Sequence, residues 1–347
     1  MKIKILLTVI IITTLSFLAQ AQTAAKTFRG YVSGKRIQMT LTRDGDKLSG
    51  TYFYTKYGTD LKLAGTIDAQ GNIKLAEFDP KGVKTGEFTG TWKQDESGGV
   101  ALEGEWKKTG GKDTTYFSAD EQMINFTNGA KLITKTVAET NKPKRFEISA
   151  EIPEITGIDA GVAAKFNQLV KNRVMKTVNE FRKGMLEQTA EDLKYLPKDI
   201  NNYIEISYDV EAANNDFISL SFGDSEFTGG AHPNHASFTV NYDLKNNREL
   251  KLADLFKPNA NYLKVISDYA INDLKKQLTD MSDDEWIKTG AGATTENYQS
   301  WNITDKSLLI NFDPYQVAAY AAGSQEVLIP YSALKSILRD NSVVSGL

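Results

Sequence analysis

His232 and His235 are the only imidazoles in the chain, and they stand three residues apart just after Gly229-Gly230. A pair at this spacing suits two kinds of chemistry: holding a transition metal, or acting as a local general base. A metal site would need one or two further ligands, from Asp224, Glu226 or a distant carboxylate, because the chain has no cysteine. The other reading is that Gly229-Gly230 permits a tight turn on which His232, Asn234 and His235 hydrogen-bond locally. Gly223-Asp224-Ser225 has the outline of a hydrolase nucleophile turn, and such a serine needs a histidine base. No histidine follows His235, so only His232 or His235 could serve it.

Other groupings are poorer. Asp280, Asp283, Asp284 and Glu285 form an acidic run without the alternating oxygens and central glycine of a calcium loop, so helix capping explains it better. Gly290-Ala291-Gly292 is not followed by the Lys-Ser or Lys-Thr of a phosphate-cradling loop. Tyr315 and Tyr320 flank small residues in the segment Asp313 to Gly323, where tyrosines either pack on a sheet or offer contact area to a protein or glycan. No catalytic residue is assigned. Gly229, Gly230, His232, Asn234, His235, Tyr315 and Tyr320 are read as binding residues, any metal would lie on His232 and His235, and no cofactor is expected.

Two textures must position these residues. From Thr27 to about Phe117 apolar and polar residues alternate with period two, as in Ile37, Met39 and Leu41, and glycine turns such as Asp44-Gly45-Asp46 and Ser97-Gly98-Gly99 separate the runs. Short strands at regular spacing predict an antiparallel meander closed as a small barrel or a curled sandwich. Trp92 and Trp106 in it either line a cavity or plug the barrel. Beyond Met123 strands and helices mix. Lys131 to Val137 and Arg145 to Ile152 read as strands. Asp159 caps a long helix with Phe166, Val170, Val174, Val178 and Phe181 on one stripe. Tyr203 to Val210 with Phe217 to Phe222, and Phe238 to Leu244 with Glu249 to Leu252, read as hairpins. A second helix carries Ile266, Ala270 and Leu274. Ser282 and Glu285 make a capping box for a short helix, residues Thr289 to Asn297 read as a mobile loop, and Ser332 caps a last helix. Without regular βαβ alternation, this part is predicted to be α+β: an antiparallel sheet with packed helices.

The compartment is read from the first residues. Lys2 and Lys4 precede an apolar run from Ile5 to Leu18, and Ala19-Gln20-Ala21 follows. This is the pattern of a secretory signal peptide cleaved before Gln22, too short to span a bilayer. Without cysteine, neither a lipoprotein anchor nor a disulfide is available. Cleavage removes two lysines, so the formal charge goes from -3 to -5 (-3 - 2). Nucleic-acid binding is not expected of so acidic a body, and no membrane span is expected after cleavage.

Ser219 to Asn234, with the core Phe-Gly-Asp-Ser-Glu-Phe-Thr-Gly-Gly-Ala-His-Pro-Asn, resembles the centre of the RsiV-type extracellular module. That module forms the outer part of a lysozyme-sensing anti-sigma factor and also accompanies a peptidoglycan deacetylase of the PdaC type. Asn241-Tyr242-Asp243-Leu244, Leu250 to Phe256, Phe312 to Gly323 and Val327 to Tyr331 continue the likeness in order, over roughly Met123 to Arg339. The resemblance implies a sensor or binding module that grips lysozyme or a wall component. With only Met1 to Lys4 ahead of the apolar run, no sigma-holding part is expected, and no deacetylase catalytic part either.

The expected organisation is therefore a signal peptide over 1–21, an all-β meander over 22–120, and a PdaC/RsiV-like body whose first part covers 121–225 and second part 226–347. The expected function is a periplasmic or secreted binding protein with lysozyme or peptidoglycan fragments as partners. The alternative is a wall-directed hydrolase or metal-dependent enzyme using His232 and His235 with nearby carboxylates. The oligomeric state and any ligand of the meander are not legible.

Overall fold

A computed structural model describes residues 25–347 except 95–98, 195, 197–199, 280, 282 and 346. The expected signal peptide, the Ser97-Gly98 turn and the Ser282 cap fall outside the described residues.

Alternation builds the first unit. Strands β1 (Ala25–Val32), β2 (Lys35–Asp44), β3 (Lys47–Tyr54) and β4 (Leu61–Ile67) are followed by β5 (Asn72–Phe78), β6 (Lys84–Gln94), β7 (Val100–Lys108) and β8 (Thr114–Gln122). Each pairs antiparallel with the next, and β1 pairs with β8, so the meander is a closed barrel with no free edge. Between β2 and β3 the turn needs φ +62° at Gly45, which glycine adopts at little cost. Ile37, Met39 and Leu41 point inward, fully buried with Phe28, Phe88 and Phe117. Phe88 meets Tyr52 and Phe117 edge-on at 5.4 and 5.0 Å. The barrel needs glycine where β6 and β7 press together. Gly90 faces Gly104, and a Cβ on either would stand 2.1 Å from a carbonyl oxygen of the opposing strand.

The barrel interior is a packed core. Trp92 lies edge-on to Phe28 at 5.4 Å, and Trp106 packs against the same cluster. One charged group is enclosed. Glu77 is buried and accepts from Tyr52 Oη (2.5 Å), Trp106 Nε1 (2.8 Å) and Thr85 Oγ1 (2.5 Å). Burial, with the Glu77 bond next, pushes the Tyr52 phenol well above its ordinary range.

Met123 alone separates β8 from β9 (Ile124–Asn125), and its carbonyl accepts from Ala213 N at 2.7 Å. Next come β10 (Lys131–Asn141), β11 (Phe146–Thr156) and helix α1 (Ala160–Glu187), then β12 (Asn202–Asn214), β13 (Phe217–Phe227), β14 (Asn234–Asp243) and β15 (Arg248–Glu249). The sheet order is β10-β11-β12-β13-β14-β15, with β9 on β12. Pairing is antiparallel except β11 with β12 and β9 with β12. The first exception follows from α1, whose crossover returns the chain in the same direction. The sequence boundary at 225/226 falls within β13.

Asp159 caps α1, accepting from Gly161 N and Val162 N. Phe166, Val170, Val174, Val178, Phe181 and Met185 are buried at three- and four-residue spacing against the sheet. That burial contributes on the order of 10 kcal/mol before the entropy of ordering the helix is set against it.

The remaining chain forms a second layer: α2 (Tyr262–Gln277), α3 (Asp284–Gly290), strands β16 (Trp301–Ile303), β17 (Ser307–Phe312) and β18 (Gln325–Pro330), and α4 (Tyr331–Leu334). Asp283 caps α3 by accepting from Trp286 N, which accounts for part of the acidic run. Ser332 lies inside α4 rather than at its cap, because Pro330 already occupies the N-cap position. A third core gathers here around Ile266, Leu274, Ile310, Phe312, Val327 and Ile329. A buried polar seam joins it to the sheet. Ser219 Oγ donates to Asn241 Oδ1 (2.7 Å), and Asn241 Nδ2 donates to the Trp301 carbonyl (2.7 Å). Ser219 Oγ also accepts from Asn302 Nδ2 (3.0 Å) and Ile303 N (2.9 Å).

The barrel seats on the sheet through Arg29, Arg36 and Tyr208. Arg36 donates to the Tyr208 carbonyl (3.0 Å) and pairs with Glu151 (2.9 Å), while Thr134 N donates to the Thr55 carbonyl (3.0 Å). Among the described residues no helix is long and apolar enough to cross a membrane.

Candidate functional site

The two segments singled out separately in the sequence meet in space. Thr228 to Pro233 link β13 to β14, and this turn carries Gly229 (φ +96°) and Gly230 (φ +109°), both exposed. His232 lies in the turn. Asn234 and His235 open β14 opposite Glu226 and Ser225. All three are exposed.

The segment after β17 comes up beside them. The Tyr320 ring stacks on His232 with centroids 4.0 Å apart and lies 6.4 Å from His235 at the same 21° tilt. Tyr320 Oη donates to the Pro233 carbonyl at 2.6 Å, and His232 Nδ1 stands 2.8 Å from that same oxygen. Tyr315 extends the patch, 5.5 Å from Tyr320, with its side chain exposed and its backbone at φ +72°. Trp286 Nε1 donates to the Tyr315 carbonyl at 3.0 Å and adds a further partly exposed ring. The outcome is an aromatic shelf held by hydrogen bonds to the backbone oxygens of Pro233 and Tyr315 and by ring stacking.

Carboxylates lie close by. Asp224 accepts from Ala236 N at 3.2 Å. Burial pushes its carboxyl up to about 6; the Ala236 bond opposes this, Glu226 and Asp313 add to it, and His235 opposes it. Burial also raises Glu226. Asp313 accepts from Ser237 Oγ at 2.6 Å. Among the described residues no three His, Asp or Glu side chains converge as metal ligands. Ser225, the nucleophile of the hydrolase reading, pairs in register with His235, but no hydrogen bond joins their side chains among the described residues.

Next to the shelf lies a cleft that the sequence reading missed. Its volume is about 780 Å3, within the size range of small-molecule sites. It opens between α1, β14, the segment 249–253 and the start of α2. Phe238, Leu250, Tyr262 and Trp301 supply apolar surface, and Arg173, Lys176, Lys251 and Glu249 the charge. Arg173 is fixed by donating to the Thr239 carbonyl (2.8 Å) and to Glu249 (2.5 Å). A smaller recess of about 300 Å3 shares Arg173, Phe238, Thr239 and Gln299 with the cleft and runs on to Ser237 and Asp313, toward the shelf. Arg173 and Lys176 were overlooked because the periodicity of α1 marks only its inward stripe. The run Thr239, Asn241, Asp243 was the available signal: these polar positions on β14 are buried, so that face of the sheet is covered.

Two described families match this chain. Residues 139–235 match the family described as "Deacetylase PdaC", and residues 253–332 match "Protein of unknown function (DUF3298)". The resemblance drawn from the motifs thus holds at the level of these two families. The chain is 30% identical over 179 residues to the peptidoglycan-N-acetylmuramic acid deacetylase PdaC of Bacillus subtilis, a stretch of 52% of this chain and 37% of that protein. It is 27% identical over 110 residues to the immunogenic protein MPT64 of Mycobacterium tuberculosis, 32% of this chain and 47% of that one. It therefore spans less than half the length of these curated relatives. Among solved structures, a DUF3298 family member from Bacteroides fragilis is similar with a TM-score of 0.49 and 22% identity, covering 63% of this chain and 97% of that one. A second, from Pseudomonas aeruginosa, gives 0.46 and 15%, covering 61% and 94%.

Proposed function

We propose that the protein is exported by its N-terminal signal and acts outside the cytoplasm as a non-catalytic binding protein for a cell-wall component, with a wall-attacking enzyme such as lysozyme as a further partner. The observation that carries this reading is the shelf, where Tyr320 stacks on His232 at 4.0 Å beside the exposed Tyr315. Rigid rings at a surface give large contact area at low entropy cost, which suits glycan and protein contact. The similarity of half the chain to a protein named a peptidoglycan-N-acetylmuramic acid deacetylase supports the choice of the wall. The test is titration of the purified chain with peptidoglycan fragments and with lysozyme, alongside His232→Ala and Tyr320→Ala. Saturable binding weakened about tenfold by either substitution is expected. Absence of binding to both ligands at high micromolar concentration would end the proposal.

A second reading, a wall-directed hydrolase, is favoured by one observation: Asp224, raised to about 6, lies within electrostatic reach of His235 in a range useful to a general acid or base. Replacing both histidines with alanine separates the two readings, since undiminished turnover of a wall substrate would reject histidine chemistry.

A further inference from the structure

We infer that the cleft between α1, β14 and the start of α2 is a binding site for a carboxylate-bearing ligand of saccharide or short-peptide size. This deepens the cell-wall reading above and rests on it only for the choice of probe.

Charge and shape carry the inference. The whole chain has a formal charge of -3, yet the cleft lining holds Arg173, Lys176 and Lys251 against Glu249 alone, a local balance of +2 (3 - 1). Arg173 is committed to Glu249 and the Thr239 carbonyl. Lys176 and Lys251 make no ion pair among the described residues, although the structure pairs many other lysines. Two lysines without an ion pair, lining one cavity from two different segments, favour an anion there. The anion must also carry an apolar face, because Phe238, Tyr262 and Leu250 line the same space. A carboxylate on a sugar or peptide backbone meets both conditions. The polar side chain of Gln299, exposed at the junction with the smaller recess, offers an amide to such a backbone.

The test uses three probes on the purified chain: N-acetylmuramyl-L-alanyl-D-isoglutamine, the same dipeptide without its sugar, and uncharged chitobiose, each followed by calorimetry. The muramyl dipeptide should bind saturably below about 1 mM, weakening as salt is raised. Lys176→Ala and Lys251→Ala should each weaken it about tenfold. Both side chains are exposed, so the variants should keep the parent's circular dichroism. Equal binding of the free dipeptide also supports the site and shows that the sugar adds nothing, because the only free carboxylate of the muramyl dipeptide lies on its isoglutamine. The inference is overturned if neither carboxylated probe binds by several millimolar, if the double variant binds as tightly as the parent, or if chitobiose binds as well as the muramyl dipeptide. The shelf is read separately: lysozyme binding that responds to Tyr320→Ala but not to the lysine variants leaves the broader reading standing when the cleft fails.

Discussion

The guanidinium of Arg29 lies 4.4 Å from the centre of the Tyr208 ring, and Arg36 approaches that ring at 5.4 Å. Arg29 is 6% exposed, its terminal nitrogens find no hydrogen-bond acceptor among the described residues, and Asp209 stands 4.0 Å away. The ring is thus the close neighbour stabilising Arg29, and a secondary one for Arg36, which is already paired with Glu151. Tyr208 Oη is itself within 2.9 Å of Thr134 Oγ1.

Tyr208→Phe keeps the ring and loses the hydroxyl contact, so it should cost about 1 kcal/mol. Tyr208→Leu removes the ring from both arginines and should cost about 3 kcal/mol. Urea unfolding of the two variants checks this, and equal losses would show that the cation–ring contacts contribute nothing.

Glu77 sets the second expectation. Its two oxygens serve three donors inside the barrel. Glu77→Leu strands all three and should cost about 3 kcal/mol. Glu77→Gln keeps one acceptor oxygen for Tyr52 and Trp106 and can donate to a rotated Thr85 hydroxyl, for a cost of about 1 kcal/mol. Thermal unfolding followed at the tryptophan band reads both; a leucine variant as stable as the parent would mean that the carboxylate is dispensable.

Asp224 gives a pH dependence. Its folded-state carboxyl titrates near 6, above its ordinary 3.8. Between those values the native state binds more protons than the unfolded one, so this group's contribution to stability falls as pH rises from about 4 to about 6 and stays low above that. Asp224→Asn retains an acceptor for Ala236 N and removes the buried charge. At pH 7.5 it should be more stable than the parent by on the order of 1 kcal/mol, discounted for partial exposure, and the gap should close by pH 4. A gap that widens on acidification would contradict the assignment.

Much of the architecture was legible because burial leaves a periodic trace. Ile37, Met39 and Leu41 announced one face of β2, and Phe166 to Phe181 announced the inner stripe of α1. Barrel closure was open between two forms because pairing of β1 with β8 joins segments some ninety residues apart and has no local signal. The parallel β11/β12 pair was missed for the same reason. The loop expected over 289–297 is tied down instead, since Asn297 Nδ2 donates to the carbonyls of Thr289 and Gly292. Of the site, His232 and Tyr320 were each picked out by residue type, but their stacking across 88 positions was invisible. The cleft was hidden because its cations sit on outward positions, where lysine and arginine usually mean only solvation.

Met123 is the whole of the connection between β8 and β9, and it is itself hydrogen-bonded into the second unit. With Arg36, Thr55 and Asp60 also gripping that unit, the two halves behave as a ruler rather than beads on a string. Whatever holds the barrel in place thereby fixes the height and heading of the rings of Tyr315 and Tyr320 as well.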